Sequence, residues 1–569
     1  MGESVDRAVG YLEIVARPQQ VRVITRDTGV SLMFAMLVGG CMASAPGARA
    51  PNGAPASTDS DWPSFNRTPE GDRYSPLSEI NTTNVAGLKE ICGLDLGDGR
   101  AFQTGPLVID GTIYLTTDTT TLAIDGSNCV LKWKHTREYA PPGLLAANRG
   151  AAYFDRRLFR GSGDAHVFAV DAVTGKTVWD VAVGDAKKKE STPMSPLAWN
   201  GVVYVGVAGG DYFGVTGRVY ALSSADGHVI WTFETIPDTK EVRATWGAAS
   251  PENPPSGGGT WTSVSLDRDA GVLYVPTGNA GPDFVKQLRP GLNLYTDSLI
   301  AIDARYGSLI GYVQPVKADF HDWDVSAAPA LVTTREGKKL ALLAAKDGNL
   351  YGIDRGALIS GKTAESIVYT VPTTTHLNTD QPFTDTASTH FCPGTQGGNE
   401  WNGPSFHPGL NAVFVGAVDW CYSVQLESPA TLKGQPGAPW SGAKPPAPFG
   451  VPDPQEKWQG WVTSVDAGSG KLLWKFQAPA PILAGVTPTA GGLVFTGTWP
   501  ATSTRWTPAV ESRTGRGRPA DPWVEASSHT VAVATSALSS PPVCGRRSGR
   551  RRRRTRGSRS WDFRDEAGA

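Results

Sequence analysis

Apolar residues alternate with polar ones in short runs along the chain, as in VLYVP (272–276) and DSLIAID (297–303), with turn residues between them. A period of two in such short segments predicts β-strands. A larger unit is superimposed on it: Ala-x-Asp, a turn with Gly, then an apolar stretch ending in an aromatic. It reads AIDGSNCVLKW (123–133), AVDAVTGKTVW (169–179), ALSSADGHVIW (221–231), AIDARYGSLIGY (301–312) and SVDAGSGKLLW (464–474), with a weaker copy, GIDR, opening at Gly352. Two strands flank each turn, and the terminal aromatic is placed to pack between neighbouring sheets. Repeats of roughly 50 residues with four short strands each predict an all-β fold, a β-propeller. Spacing does not fix the number of blades. The longer segments 237–260 and 373–400 read as loops at one rim, where sites gather.

Composition agrees: 66 Gly, 43 Pro and 18 Trp in 569 residues. A net charge of −1 gives no global field toward nucleic acid or membrane. Six cysteines are too few for a disulfide scaffold, and the absence of CxxCH argues against a fused c-type haem domain. Residues 1–50 read as a leader. The short apolar core VSLMFAMLVGG (30–40) follows Arg22 and Arg26 and predicts a signal peptide. Val38-Gly39-Gly40-Cys41 resembles a lipobox, which would make Cys41 a lipid anchor; the competing cut follows Ala48-Arg49-Ala50. Either reading exports the protein and permits disulfides.

The chemistry concentrates in residues 259–324. Trp261, Asn279 after a strand, and the paired acids of Asp322-Trp323-Asp324 lie there together. Singly, Asn and Asp are turn formers and Trp is core. Together, an amide oxygen and two carboxylates are the ligand set of a hard cation, and a Trp face suits a flat conjugated cofactor.

On TGNAGPDF, RPGLNLYTDSLIAID and FHDWDVSAAPAL, residues 60–497 resemble the pyrroloquinoline-quinone (PQQ) dependent alcohol dehydrogenases, periplasmic quinoproteins. The resemblance implies eight blades. It implies PQQ with Ca²⁺ or a lanthanide, a small-molecule alcohol, sugar or polyol as substrate, and a periplasmic cytochrome c or membrane quinone as acceptor. Asn279 and Asp322 match the family's metal-ligand Asn and catalytic Asp, and Asp324 stands where some members carry a further acid associated with lanthanide use. Asp211, in the glycine-rich stretch 209–217, takes the place of the usual ligand Glu, one methylene shorter and in a loop one residue longer. Trp261 matches the cofactor-stacking Trp, and Arg149 in Asn148-Arg149-Gly150 the Arg that holds a PQQ carboxylate. Lys346 matches the basic residue at the quinone oxygens, and Gln103 stands where many members have Glu. Glu400 or Asn402 supplies a polar contact from a later loop. Cys92 with Cys129, and Cys392 with Cys421, are candidate disulfides of a kind found in related quinoproteins. A vicinal Cys-Cys that many members place over the second cofactor face is replaced by Gly143-Leu144-Leu145.

After Gly497 the texture changes. Residues 498–569 lack the repeat and end in GRRSGRRRRRTRGSR and a short remainder. Read plainly, this is a basic tail of the kind that contacts nucleic acid. A different reading is preferred: residues 498–512 can be back-translated with permitted codons so that prefixing one G and regrouping gives DLAGNFYALDAGSGK, the missing repeat, a consistency argument since codon choice is free. The expectation is a frameshift near Gly497, an incomplete last blade and a disordered tail. A non-catalytic propeller that scaffolds envelope proteins is the alternative function. Fold does not separate the two; a scaffold has no reason to hold Arg149, Asp211, Trp261, Asn279 and Asp322 together.

Overall fold

The computed structural model describes residues 60–96, 103–139, 147–247 and 250–498, with the backbone of a two-residue strand, Ala532–Val533. The leader with Cys41, the Gly143-Leu144-Leu145 segment and nearly all of the tail lie outside the described residues.

Each repeat builds one four-stranded antiparallel meander. The first sheet comprises Leu107–Ile109, Thr112–Thr116, Thr120–Asp125 and Leu131–Thr136. The second runs from Ala152–Phe154 to Thr177–Ala182, and the third from Leu197–Trp199 to Val229–Glu234. The fourth holds Ser265–Asp267, Val272–Pro276, Leu299–Asp303 and Leu309–Val313, the fifth Ala330–Thr333 to Ile367–Pro372, and the sixth Ser405–His407 to Leu472–Ala478. The first strands of successive sheets touch, as Ser265–Asp267 does Ala330–Thr333 and that strand Ser405–His407. Fourth strands carry most of the exposed positions. Sheets that are buried at their first strands and open at their last form a radial, propeller-type array. Against an expectation of eight blades, the described residues hold six four-stranded sheets, two three-stranded ones (Thr389–Phe391 with Tyr422–Val424 and Val451–Pro452; Thr487–Pro488 with Val494–Thr496 and Ala532–Val533) and the two-stranded pair Ser256–Gly257 and Ala280–Gly281.

The repeat motif is the joint between sheets. Its Asp closes the turn by accepting backbone N–H groups: Asp171 from Val173 and Thr174, Asp303 from Arg305 and Tyr306. Its Gly sits at left-handed φ (Gly175 +71°, Gly227 +78°, Gly307 +71°). The Trp of the preceding sheet lies on that Gly. It donates its indole N–H to the carbonyl just after the Asp, or, in the third repeat, after Ser223: Trp133 to Ala172 (3.1 Å), Trp179 to Ser224 (3.0 Å), Trp231 to Ala304 (3.1 Å). Tyr369 does the same with its hydroxyl on Ala467 (2.9 Å). The weak GIDR copy departs, because the helix Arg355–Ile359 replaces its turn. Both expected disulfides are present, Cys92–Cys129 and Cys392–Cys421.

Candidate active site

The site forms where the segments following strands of the third, fourth and fifth sheets meet. Asp324 ties them together. Its Oδ1 accepts the backbone N–H of Asn279 (2.7 Å), and its carbonyl accepts that of Lys346 (3.0 Å). Lys346 Nζ lies 2.6 Å from Asp324 Oδ2 and 3.4 Å from Asp322 Oδ1. Asp322 itself has φ +67°, a left-handed conformation that costs on the order of 1–3 kcal/mol and persists only where the surroundings impose it. Asp319 imposes it: the carboxylate accepts the backbone N–H groups of His321 (3.1 Å) and Trp323 (3.0 Å). His321 stacks on Trp323 at 3.9 Å, and the Trp323 indole donates to Gly394 O (3.1 Å), beside the Cys392–Cys421 bridge.

Trp261 presents its ring to two cations. The Arg149 guanidinium lies 4.5 Å and Lys346 Nζ 5.6 Å from the ring centroid. A second indole, Trp401, not foreseen from the sequence, lies with its ring centroid 5.2 Å from the Arg149 guanidinium. Arg149 is buried and donates through Nη1 to Trp261 O (3.2 Å), while its Nε has no partner; Gln103 Oε1 is likewise buried and unpartnered. The segments of Gln103 and Arg149 are joined by the bridge Gly105–Gly150. Between the two candidates of the later loop, Glu400 is the residue that faces Arg149 and Lys346 electrostatically, whereas Asn402 is turned to Leu483 O and Arg73.

Charge is crowded here. Burial and the nearby Asp324 push Asp211 up to about 6, and burial pushes Glu400 up to about 7. Burial also raises Asp322 well above the usual carboxylate range, against the pull of Lys346. Burial disfavours the Lys346 ammonium, but Asp322, Asp324 and Glu400 outweigh it and hold the group well above its ordinary value. Burial lowers Arg149 to about 10. Two further buried groups escaped the sequence reading. Asp283 accepts the Asn279 side-chain amide (2.9 Å), and Trp440 accepts Asp283 N and donates its own N to Asp211 O. The only sequence signal for Asp283 was its place four residues after Asn279; Trp440 had none.

An unpaired guanidinium nitrogen and two cations on an indole face fit a flat, multiply anionic cofactor. Asp211, Asn279, Asp322 and Asp324 carry the oxygen donors that a hard cation takes; here Lys346 pairs with Asp322 and Asp324, and the oxygens of the three carboxylates are not drawn within 4.8 Å of one another. A separate group, His390, Cys421 and Asp453, is no metal site, because the Cys421 sulfur is in a disulfide.

The family profile described as "PQQ: Glucose/ethanol/alcohol dehydrogenase, beta-propeller domain" matches residues 62–363. The chain belongs to this family. Among the family's characterised members, it is 29% identical over 489 residues to the dehydrogenase subunit of the quinone alcohol dehydrogenase of Gluconacetobacter polyoxogenes, covering 77% of this chain and 65% of that one. It is 29% identical over 471 residues to the quinoprotein alcohol dehydrogenase PedH of Pseudomonas putida, covering 75% and 77%. With the lanthanide-dependent methanol dehydrogenase of Methylacidiphilum fumariolicum it shares 28% identity over 503 residues, covering 80% and 79%. The chain thus spans less than two thirds, 65%, of the length of the first of these relatives. The quinohemoprotein alcohol dehydrogenase ADHIIG of Pseudomonas putida HK5 superposes with a TM-score of 0.66 at 24% identity, over 77% of this chain and 69% of that one, a likeness of fold. Among the described residues no helix is long and apolar enough to cross a membrane.

Proposed function

We propose that this chain is an exported, periplasmic PQQ-dependent dehydrogenase that oxidises an alcohol, sugar or polyol and passes electrons to a separate acceptor, a cytochrome c or a membrane quinone. The observation that carries the reading is the pairing of the Trp261 face, flanked by Arg149 and Lys346, with the two acids that Lys346 holds beside Asn279. When bound, PQQ with Ca²⁺ or a lanthanide supplies a two-electron acceptor whose carbonyl the cation polarises. The chain's own residues do the rest. Trp261 provides the flat floor. Arg149 takes a carboxylate with its unpaired Nε, and Gln103 and Glu400 line the same pocket. Asp211, Asn279, Asp322 and Asp324 would hold the cation. Lys346 keeps positive charge where an oxyanion develops. Asp322, raised by burial, is the general base for the substrate hydroxyl.

In this reading residues 60–497 are the cofactor-binding propeller, 1–50 the export leader with Cys41 or Ala50 as its boundary, and 498–569 an out-of-frame tail replacing the closing blade.

Reconstitution of the purified protein with PQQ plus Ca²⁺, and separately with a lanthanide, tests the activity. Cofactor absorbance and dye reduction with a panel of alcohols are the readouts. Stoichiometric binding with turnover is expected, and a folded protein that binds nothing would favour the scaffold function. Asp322→Asn is expected to bind the cofactor and lose turnover by about a hundredfold or more. If Asp324→Asn loses turnover while Asp322→Asn keeps it, the base is Asp324, the acid closer to Lys346.

A further inference from the structure

Asp283 is the most completely buried carboxyl of the cluster, with no exposed surface, and only one of its oxygens is used. Oδ1 accepts the Asn279 amide at 2.9 Å; Oδ2 is buried without a partner. The adjacent guanidinium does not neutralise it by contact. Arg289 spends its donors on Pro282 O (3.0 Å), Asp283 O (2.8 Å) and Asn293 Oδ1 (3.0 Å). The buried indole N–H of Trp440, whose main chain joins Asp283 to Asp211, is also unpartnered. A buried carboxylate with one open oxygen, among Asp211 and Asp324, costs free energy unless a cation balances it.

Asp283 also decides which way Asn279 faces. An Asn side chain placed among carboxylates would otherwise turn its NH₂ toward them and its oxygen away. Because Asp283 takes the NH₂, Asn279 Oδ1 is left without a hydrogen bond among the described residues and open as a cation ligand. We propose that Asp283 is a positioning residue of the cation site: it fixes the Asn279 amide with its oxygen inward and adds a negative charge that favours a trivalent over a divalent ion. The inference rests on the cation site of the proposed function.

The test uses the full-length protein, metal-free and without PQQ, titrated with Tb³⁺ and with Ca²⁺. Tryptophan-sensitised terbium luminescence, its displacement by Ca²⁺, and the thermal midpoint are the readouts. Asp283→Asn keeps the shape and an acceptor for Asn279 but removes the charge. It is expected to weaken Tb³⁺ about tenfold and Ca²⁺ less, since the lost attraction scales with ionic charge. Asp283→Ala frees the Asn279 amide and is expected to weaken both ions, by up to about a hundredfold. The metal-free D283N protein is expected to melt at or above the wild type, which separates lost binding from lost folding. Wild-type affinity for both ions in both variants, with Asn279→Ala and Asp211→Asn losing binding, would overturn the role of Asp283 and leave the cation site standing. A wild-type protein that binds neither ion would overturn the site itself, and this role with it.

Discussion

Glu400 shows what burial does to one carboxyl in this pocket. Held up at about 7 in spite of Lys346 and Arg149, it stays protonated to near neutrality and so can donate a hydrogen bond to an anionic ligand, which a carboxylate cannot. The folded chain keeps a proton on Glu400 that the unfolded chain, with its ordinary value of 4.5, has released. The resulting cost to stability is absent below pH 4.5, grows through the window, and is complete above about 7. Glu400→Gln keeps the shape and removes the charge. Ligand-free E400Q is expected to melt above the wild type at pH 8 by the equivalent of about 3 kcal/mol, and close to level with it near pH 4.5. Melting curves that differ equally at both pH values would show that Glu400 does not titrate in this window.

At the scale of the element, the joint between blades is a Trp resting on a Gly. A Cβ on Gly227 would lie 2.7 Å from the Trp179 ring, on a residue at φ +78°. Gly227→Ala therefore meets both a steric clash and an unfavourable backbone, while Trp179→Phe loses only the bond to Ser224 and part of the ring area. The glycine variant is expected to cost about 2–4 kcal/mol and the phenylalanine variant about 1. Thermal midpoints in that order support the joint; the reverse order would mean that the indole's hydrogen bond dominates. This joint was legible in the sequence because all its parts recur at fixed spacing: the turn Asp, the left-handed Gly and the ring of the sheet before. The site was legible in part, through a resemblance carried by local motifs such as TGNAGPDF and FHDWD. Trp401 and Trp440 were not, since nothing around them repeats and only tertiary packing brings them to Arg149 and Asp211. Asp283 was not singled out, since its place beside Asn279 follows the short pairing of Ser256–Gly257 with Ala280–Gly281, which the local pattern does not announce. GIDR carried the right letters, yet a helix follows it, because the motif specifies the strand end and not what comes after.

For the whole molecule the question is how the ring ends. Trp133, Trp179 and Trp231 each find a carbonyl in the repeat that follows, as does Tyr369. Trp474 closes the last complete sheet in the same repeat position. It touches Phe414 at 5.9 Å, and among the described residues its indole N–H has no acceptor. In the frameshift account proposed above, the acceptor would belong to an Ala-x-Asp turn further along; the sequence has none after Gly497, and a frame shifted there can, with permitted codons, read ALDAGSGK. In keeping with this, Val494–Thr496 is joined by Ala532–Val533 in parallel, while every other pairing between the described strands is antiparallel. Two chains separate the accounts: the present one, and one with a single G inserted before the Thr498 codon. In the restored chain Trp474→Phe is expected to cost about 1 kcal/mol, as Trp179→Phe does, and in the present chain close to nothing. The restored chain is also expected to melt higher and to resist protease, because a ring without its closing blade leaves two sheet faces uncovered. If Trp474→Phe is as damaging in the present chain as Trp179→Phe, and restoration adds no stability, then Trp474 already has its acceptor and the ring closes by another route.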